Sequence, residues 1–436
     1  MPTSPADVSH LLNRAAFGGT PAEVTSLSRL DLAQIVDQLL NPPQASPHVL
    51  PNGEFGTPIF EVDFPRMPEV VHYCLNRMAG TPAPLKEKMA LFWHGHFTSH
   101  AGESRPGNVW TLYKLLYAGG MGSFVDLTQK VAIHPAMLLW LTNHDNKLGH
   151  MNENFGRELM ELFTLGVDQY TQEDVVAATR AWTGHNSGTG PPPGNGVDKY
   201  KFWPERHDNG NKTFFGTTKN WDGPDIINEI CTGAKKQICA RHIAKKMWTF
   251  FAYENPSDAL LNDLANAFLA NGLIVKDLLR AIFLRPEFYS TQSKQGHVRS
   301  PTEFVVAIMR YTGAPAEELK ADSFMADMGQ SLFLPPNVAG WRGKAAWVSA
   351  SATYARIRFS MQPATDSAVA RGVLAGVAQM PVRDAVLKAF QTFGIPQPTA
   401  ASLAVVEKAL TEERTRPDGH SNLLALVTLS PEFQMG

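Results

Sequence analysis

The chain has 436 residues, with 39 Lys+Arg against 41 Asp+Glu and a formal net charge of −2. At 18% charged and 44% hydrophobic residues, it carries too much apolar side chain and too little net charge for extensive disorder. The same balance excludes the basic surface of a dedicated nucleic-acid binder.

The N-terminal sequence MPTSPADVSHLL lacks the charged and apolar regions of a secretory signal. No run of eighteen apolar residues follows, so no membrane span is expected, and a cytoplasmic location is the expectation. Apolar residues at i, i+3 and i+4 then predict helices over 8–15, with Asp7 as cap, and over 23–40 and 84–97. The same pattern continues over 151–165, 171–182, 224–232, 234–251, 256–270, 274–284 and 301–311, and in several helices beyond 364. Residues 186–197 form a Gly/Pro loop leading into an aromatic stretch, 200–215, that has room for a short hairpin. Residues 333–347 form a second loop of Pro, Gly and Trp. The expected fold is all-α: a large, bundle-like array of helices with two long loops and at most that hairpin. A core domain over 1–362 holds the site, and a helical extension over 363–436 packs on it.

A short unit recurs. Asp126-Leu127-Thr128 precedes Pro135, Asp277-Leu278-Leu279 precedes Pro286, and Asn422-Leu423-Leu424 precedes Pro431, the first Leu each time eight residues before the Pro. This is a capped two-turn apolar helix stopped before a proline. Cys74, Cys231 and Cys239 make neither a disulfide framework nor a Cys-x-x-Cys metal pair. Cys231 and Cys239 suit a buried helix face as small hydrophobes.

The chemistry-bearing residues cluster. His94 and His96 end the 84–97 helix. On a continuous helix their rings splay by about 200°, whereas a helix broken at Gly95 lets both turn to one site. In the 151–165 helix, capped by Asn152 and stopped by Gly166, residues Phe155, Leu159, Leu162 and Phe163 form the buried face, and Asn154, Glu158 and Glu161 form one flank. Glu158 and Glu161 are neighbours at i, i+3. Helix ion pairs of Arg157 with Glu153 and Glu161 explain Arg157 but leave Glu158 unpartnered, and a buried carboxylate needs a partner or a metal. His207-Asp208, beside Gly210 and near Lys212, suits a turn presenting an imidazole and a carboxylate, or a turn stabilised only by its own Asp and Asn side chains. His185 stands where the first loop begins.

The segments HLLNRAAFG (10–18), FWHGHF (92–97), HPAMLLWLTN (134–143), NENFGRELMELFTLGVDQYTQEDV (152–175), HDNGNKTFFG (207–216) and LFLPPNVAGW (332–341) resemble those of a bacterial family known as domain of unknown function 1800. The resemblance implies a largely helical protein. It also implies that many members are exported and encoded beside a sulfatase-like protein, a possible partner; the N-terminal sequence here shows no export signal, so export is not the expectation for this chain. It supplies no reaction.

The function expected first is a metal-dependent enzyme, a hydrolase or an oxidoreductase. Its candidate ligands are His94, His96, Glu158, Glu161, His185 and His207, a mixed set suited to Fe, Mn or Zn. Glu158, Glu161, Arg157, His207 and Asp208 are the catalytic candidates. Asn154, Lys212, Trp341 and Trp347 are the candidates for holding a small-molecule or glycan substrate. The alternatives are a metal-free acid/base enzyme acting on glycans and a helical scaffold that binds partners without catalysis.

Overall fold

Pairs of a hydroxyl residue followed by proline start helices throughout the chain. Ser4, Thr20, Ser300 and Ser430 each cap the helix that Pro5, Pro21, Pro301 or Pro431 begins, and each accepts a backbone N–H of the first turn. The computed structural model describes residues 1–42, 46–55, 64–188, 197–341, 343–413 and 422–436, and over these the chain is predominantly helical. No helix among the described residues is long and apolar enough to cross a membrane.

Most expected helices are present, with local corrections. Ser4, not Asp7, caps Pro5–Ala15. The 23–40 stretch is two helices, Pro21–Leu27 and Leu32–Leu40, because Asp31 restarts the chain with its own capping box to Gln34. Two further helices, Met67–Gly80 and Pro106–Gly119, complete the centre. The 200–215 stretch does not fold on itself. Its first part, β2 (Lys199–Phe202), pairs back with β1 (His185–Gly188), while β3 (Lys212–Phe214) pairs forward with β4 (Thr217–Lys219). Most of the first Gly/Pro loop, 189–196, lies outside the described residues.

The recurring unit is a helix followed by a proline-started turn: Phe124–Ala132 before Pro135–Trp140, Val275–Phe283 before Pro286–Tyr289, and Asn422–Thr428 before Pro431–Gln434. The first two units meet head to head. Phe124 N–H donates to Leu273 O and Val275 N–H to Gly122 O, both at 2.9 Å. Cys231 and Cys239 are buried free thiols 3.9 Å apart.

The Ala350–Asp366 helix runs through the expected boundary at 362/363. The C-terminal turn packs Phe433 against Phe304, Tyr311 and Phe393, and Arg299 donates to Phe433 O at 2.8 Å. Nearby, the charge-poor chain buries an unusual cluster. Glu303 binds Lys88 Nζ at 2.5 Å and His297 Nε2 at 3.0 Å, among the buried guanidinium groups of Arg14, Arg299 and Arg356. One carboxylate thus stands among four buried cations, an arrangement stable only while that carboxylate stays ionised.

Candidate functional site

The 151–165 segment changes its helical period part-way. Asn154–Glu158 is α-helical, and Leu159–Thr164 widens to a π-helix. Gly166, at φ +90°, closes it by donating to Met160 O, so Leu162 O and Phe163 O are left for side-chain donors. Lys246 Nζ takes Leu162 O at 2.9 Å, and His96 Nε2 takes Phe163 O at 3.1 Å. On the outer side, Glu161 accepts the Tyr170 hydroxyl at 2.5 Å. Arg157 pairs with Glu153 and Gln172, each at 2.9 Å, rather than with Glu161. Glu158 has no hydrogen bond among the described residues. Burial, together with Glu161, raises its pKa against the pull of Arg157. Asn154 donates weakly to Leu141 O.

The Pro84–His96 helix is not broken at Gly95, so His94 and His96 face different surroundings, as an unbroken helix requires. His94 Nε2 accepts Phe333 N–H at 3.0 Å, and its ring lies among Tyr113, Phe333 and Trp341. His96 donates from Nε2 to Phe163 O and accepts Lys246 Nζ at Nδ1, 3.1 Å away. Burial lowers the pKa of both, that of His94 to about 3, so both rings are neutral at pH 7.

His185 and His207 do come together, joined by a residue that sequence reasoning missed, Asp222. One ligand-type atom from each lies within 4.8 Å of the others. Gly184 makes this possible. It sits at φ +78°, and a Cβ there would lie 2.7 Å from Trp203 O and 3.2 Å from His207 N. Past that turn, His185 opens β1 opposite Phe202. His207 Nδ1 lies 2.8 Å from Thr183 O; a carbonyl can only accept, so Nδ1 carries a proton and Nε2 is the nitrogen turned away from that carbonyl. His185 is held between the Tyr200 hydroxyl, 2.9 Å from Nδ1, and Asp222 Oδ1, 3.0 Å from Nε2. Asp222 caps the Gly223–Thr232 helix. Burial acts to raise its pKa, but the hydrogen bonds from His185 and Gly223 N–H outweigh it and hold the carboxyl below its usual value. An Asp before Gly-Pro is a familiar helix start, a pattern that carries no sign of a metal ligand.

Asp208 does not join His207. Arg180 grips it through Nε at 2.7 Å and Nη2 at 3.2 Å. Lys212 is buried, with three acceptors for its three donors: Asp208 O, Asn220 Oδ1 and Trp221 O. It staples the turn together.

A separate cavity of about 720 Å³ lies between the ends of several elements. One wall is the basic face of the Lys236–Phe251 helix: Arg241, His242, Lys245 and Lys246. Opposite are Phe92, Gly95 and His96, the turn from Leu165 to Gln169, and Trp341 with Trp347 from the second loop.

The family model for "Protein of unknown function (DUF1800)" matches residues 10–435. The chain belongs to that family. No curated protein and no solved structure matches it significantly. In this DUF1800 chain, segments 92–97, 152–175 and 332–341 each contribute to the cavity wall, whereas segment 207–216 contributes His207 to the convergent triad.

Proposed function

We propose that the chain is a metal-dependent enzyme, a hydrolase or an oxidoreductase, whose metal ligands are His185, His207 and Asp222. The observation that supports this most is the convergence of two buried imidazoles and one carboxylate, each already oriented from behind. Thr183 O holds His207, Tyr200 holds His185, and Gly223 N–H holds Asp222. Outer-shell hydrogen bonds of this kind orient metal ligands in proteins generally. Two imidazoles and one carboxylate suit Fe²⁺, Mn²⁺ or Zn²⁺ and leave coordination positions open. An ion there would activate a bound water for hydrolysis or take part in oxidation. His94 and His96 are left out of the ligand set because His94 Nε2 and both nitrogens of His96 are engaged by groups outside the triad, whereas the partner of His185 Nε2 is Asp222, itself a proposed ligand, so an ion would take the place of that hydrogen bond.

Cobalt(II) added to the metal-free chain tests the reading. Ligand-field absorption bands are expected, and His185→Ala or His207→Ala should remove them. Absent bands, or bands unchanged in both variants, would contradict it.

A further inference from the structure

We propose that the cavity beside the Lys236–Phe251 helix binds an organic acid, with its carboxylate against Lys246 and an apolar or aromatic body against Trp341 and Phe250. The cavity's lining includes none of His185, His207 or Asp222, so this proposal stands independently of the metal reading.

The argument begins with an unbalanced charge. The Lys246 ammonium has three donors. Two go to Leu162 O and to His96 Nδ1, which are uncharged acceptors because burial keeps His96 neutral. No carboxylate among the described residues pairs with Lys246 within salt-bridge distance, and burial alone accounts for the fall in its pKa to about 8. The other charges on the cavity wall do not supply the missing partner. Arg241 is paired with Asp258 and Glu303 with Lys88, burial keeps His242 neutral with a pKa of about 4, and Lys245 adds a second cation to a wall whose other carboxylate among the described residues is Glu254. A bound carboxylate would give the ammonium its third, charge-assisted hydrogen bond.

The remaining walls decide what that carboxylate is attached to. Phe92 and Phe250 form an edge-to-face pair, with centroids 5.2 Å apart, and Leu91, Leu165 and Trp341 continue the apolar surface. A small inorganic anion would leave these walls uncovered. A neutral apolar ligand would desolvate the ammonium without compensation. A volume of about 720 Å³ falls within the range of roughly 300–1,000 Å³ typical of small-molecule sites.

The test compares naphthalene-2-carboxylate with its neutral amide, 2-naphthamide, by titration calorimetry on the full chain. At pH 7 the acid is expected to bind at least about tenfold more tightly than the amide, the worth of one charge-assisted hydrogen bond. Lys246→Met should abolish that preference, and Trp341→Ala should weaken both ligands. On the wild-type chain, raising the pH from 7 to 9.5 takes Lys246 through its pKa of about 8. The ligand stays ionised while the lysine loses its charge, so the preference should fade. That series needs no variant and so does not depend on Lys246→Met folding. Equal binding of acid and amide, no binding of either at millimolar concentration, or a preference that persists at pH 9.5 or in Lys246→Met would overturn the proposal.

Discussion

The Tyr200 hydroxyl lies 2.9 Å from His185 Nδ1, on the side of the ring opposite Asp222. If His185 is a metal ligand through Nε2, this hydroxyl fixes the ring orientation without touching the ion. Tyr200→Phe is therefore expected to weaken metal retention about 10- to 100-fold, the usual effect of removing an outer-shell partner. The partly exposed ring keeps its packing, so the melting temperature should hardly move. Competition with a chelator measures the affinity, and an unchanged affinity counts against a ligand role for His185.

Gly223 bears on the same triad through packing. A Cβ there would lie 2.8 Å from the Trp182 ring, which is fully buried, and Trp182 packs at a tilt against His185, with ring centroids 4.7 Å apart. Gly223→Ala should destabilise the chain by about 1–3 kcal/mol through overpacking, and it should also reduce metal retention by displacing His185. Thermal melts and metal content would show the two effects together. A variant as stable as the wild type would mean that Trp182 yields freely.

Glu303 balances the buried cations Lys88, Arg14, Arg299 and Arg356. Its pKa is subject to opposing effects. Burial acts to raise it, but Lys88 and the Ser300 hydrogen bonds outweigh burial and lower it. The stabilisation it gives is therefore present above its unfolded-state pKa and lost as pH falls through the lower folded-state value. Glu303→Gln leaves the cations uncompensated and is expected to cost about 3–5 kcal/mol. Lys88→Met, which removes one cation from an excess, should cost less. Denaturant titration of the two variants checks the order, and the reverse order would contradict it.

Glu158 has the opposite sign. Its raised pKa means that the folded chain holds a proton more tightly than the unfolded chain, so stability falls as pH rises through the folded value and the full cost is present at pH 7. Glu158→Gln should stabilise the chain slightly at pH 7, by about 0.5 kcal/mol or less for a half-exposed group, and by nothing near pH 4. Paired melts at the two pH values would test this; a variant less stable than wild type at pH 7 would show that the carboxylate has a favourable partner.

What the sequence made legible was local. Apolar spacing revealed the helices because the period of each lies within its own residues, and the unpartnered state of Glu158 followed from counting its helix neighbours. The π-helix was hidden, because the donors that occupy Leu162 O and Phe163 O, Lys246 and His96, come from distant parts of the chain. The Glu303 cluster was hidden for the same reason, its cations being spread from Arg14 to Arg356. His185 and His207 were visible as titratable residues near a loop. Asp222 was not, because a helix cap and a metal ligand look alike until the fold brings the imidazoles beside it.

The most direct test of the proposed metal centre is elemental analysis of the folded full chain after loading with Fe²⁺, Mn²⁺ or Zn²⁺ and removal of the excess. About one equivalent should be retained, it should be lost in His207→Ala, and it should be kept in Glu158→Gln. Less than about a tenth of an equivalent of every metal, or metal lost in Glu158→Gln but kept in His207→Ala, would contradict a centre at His185, His207 and Asp222.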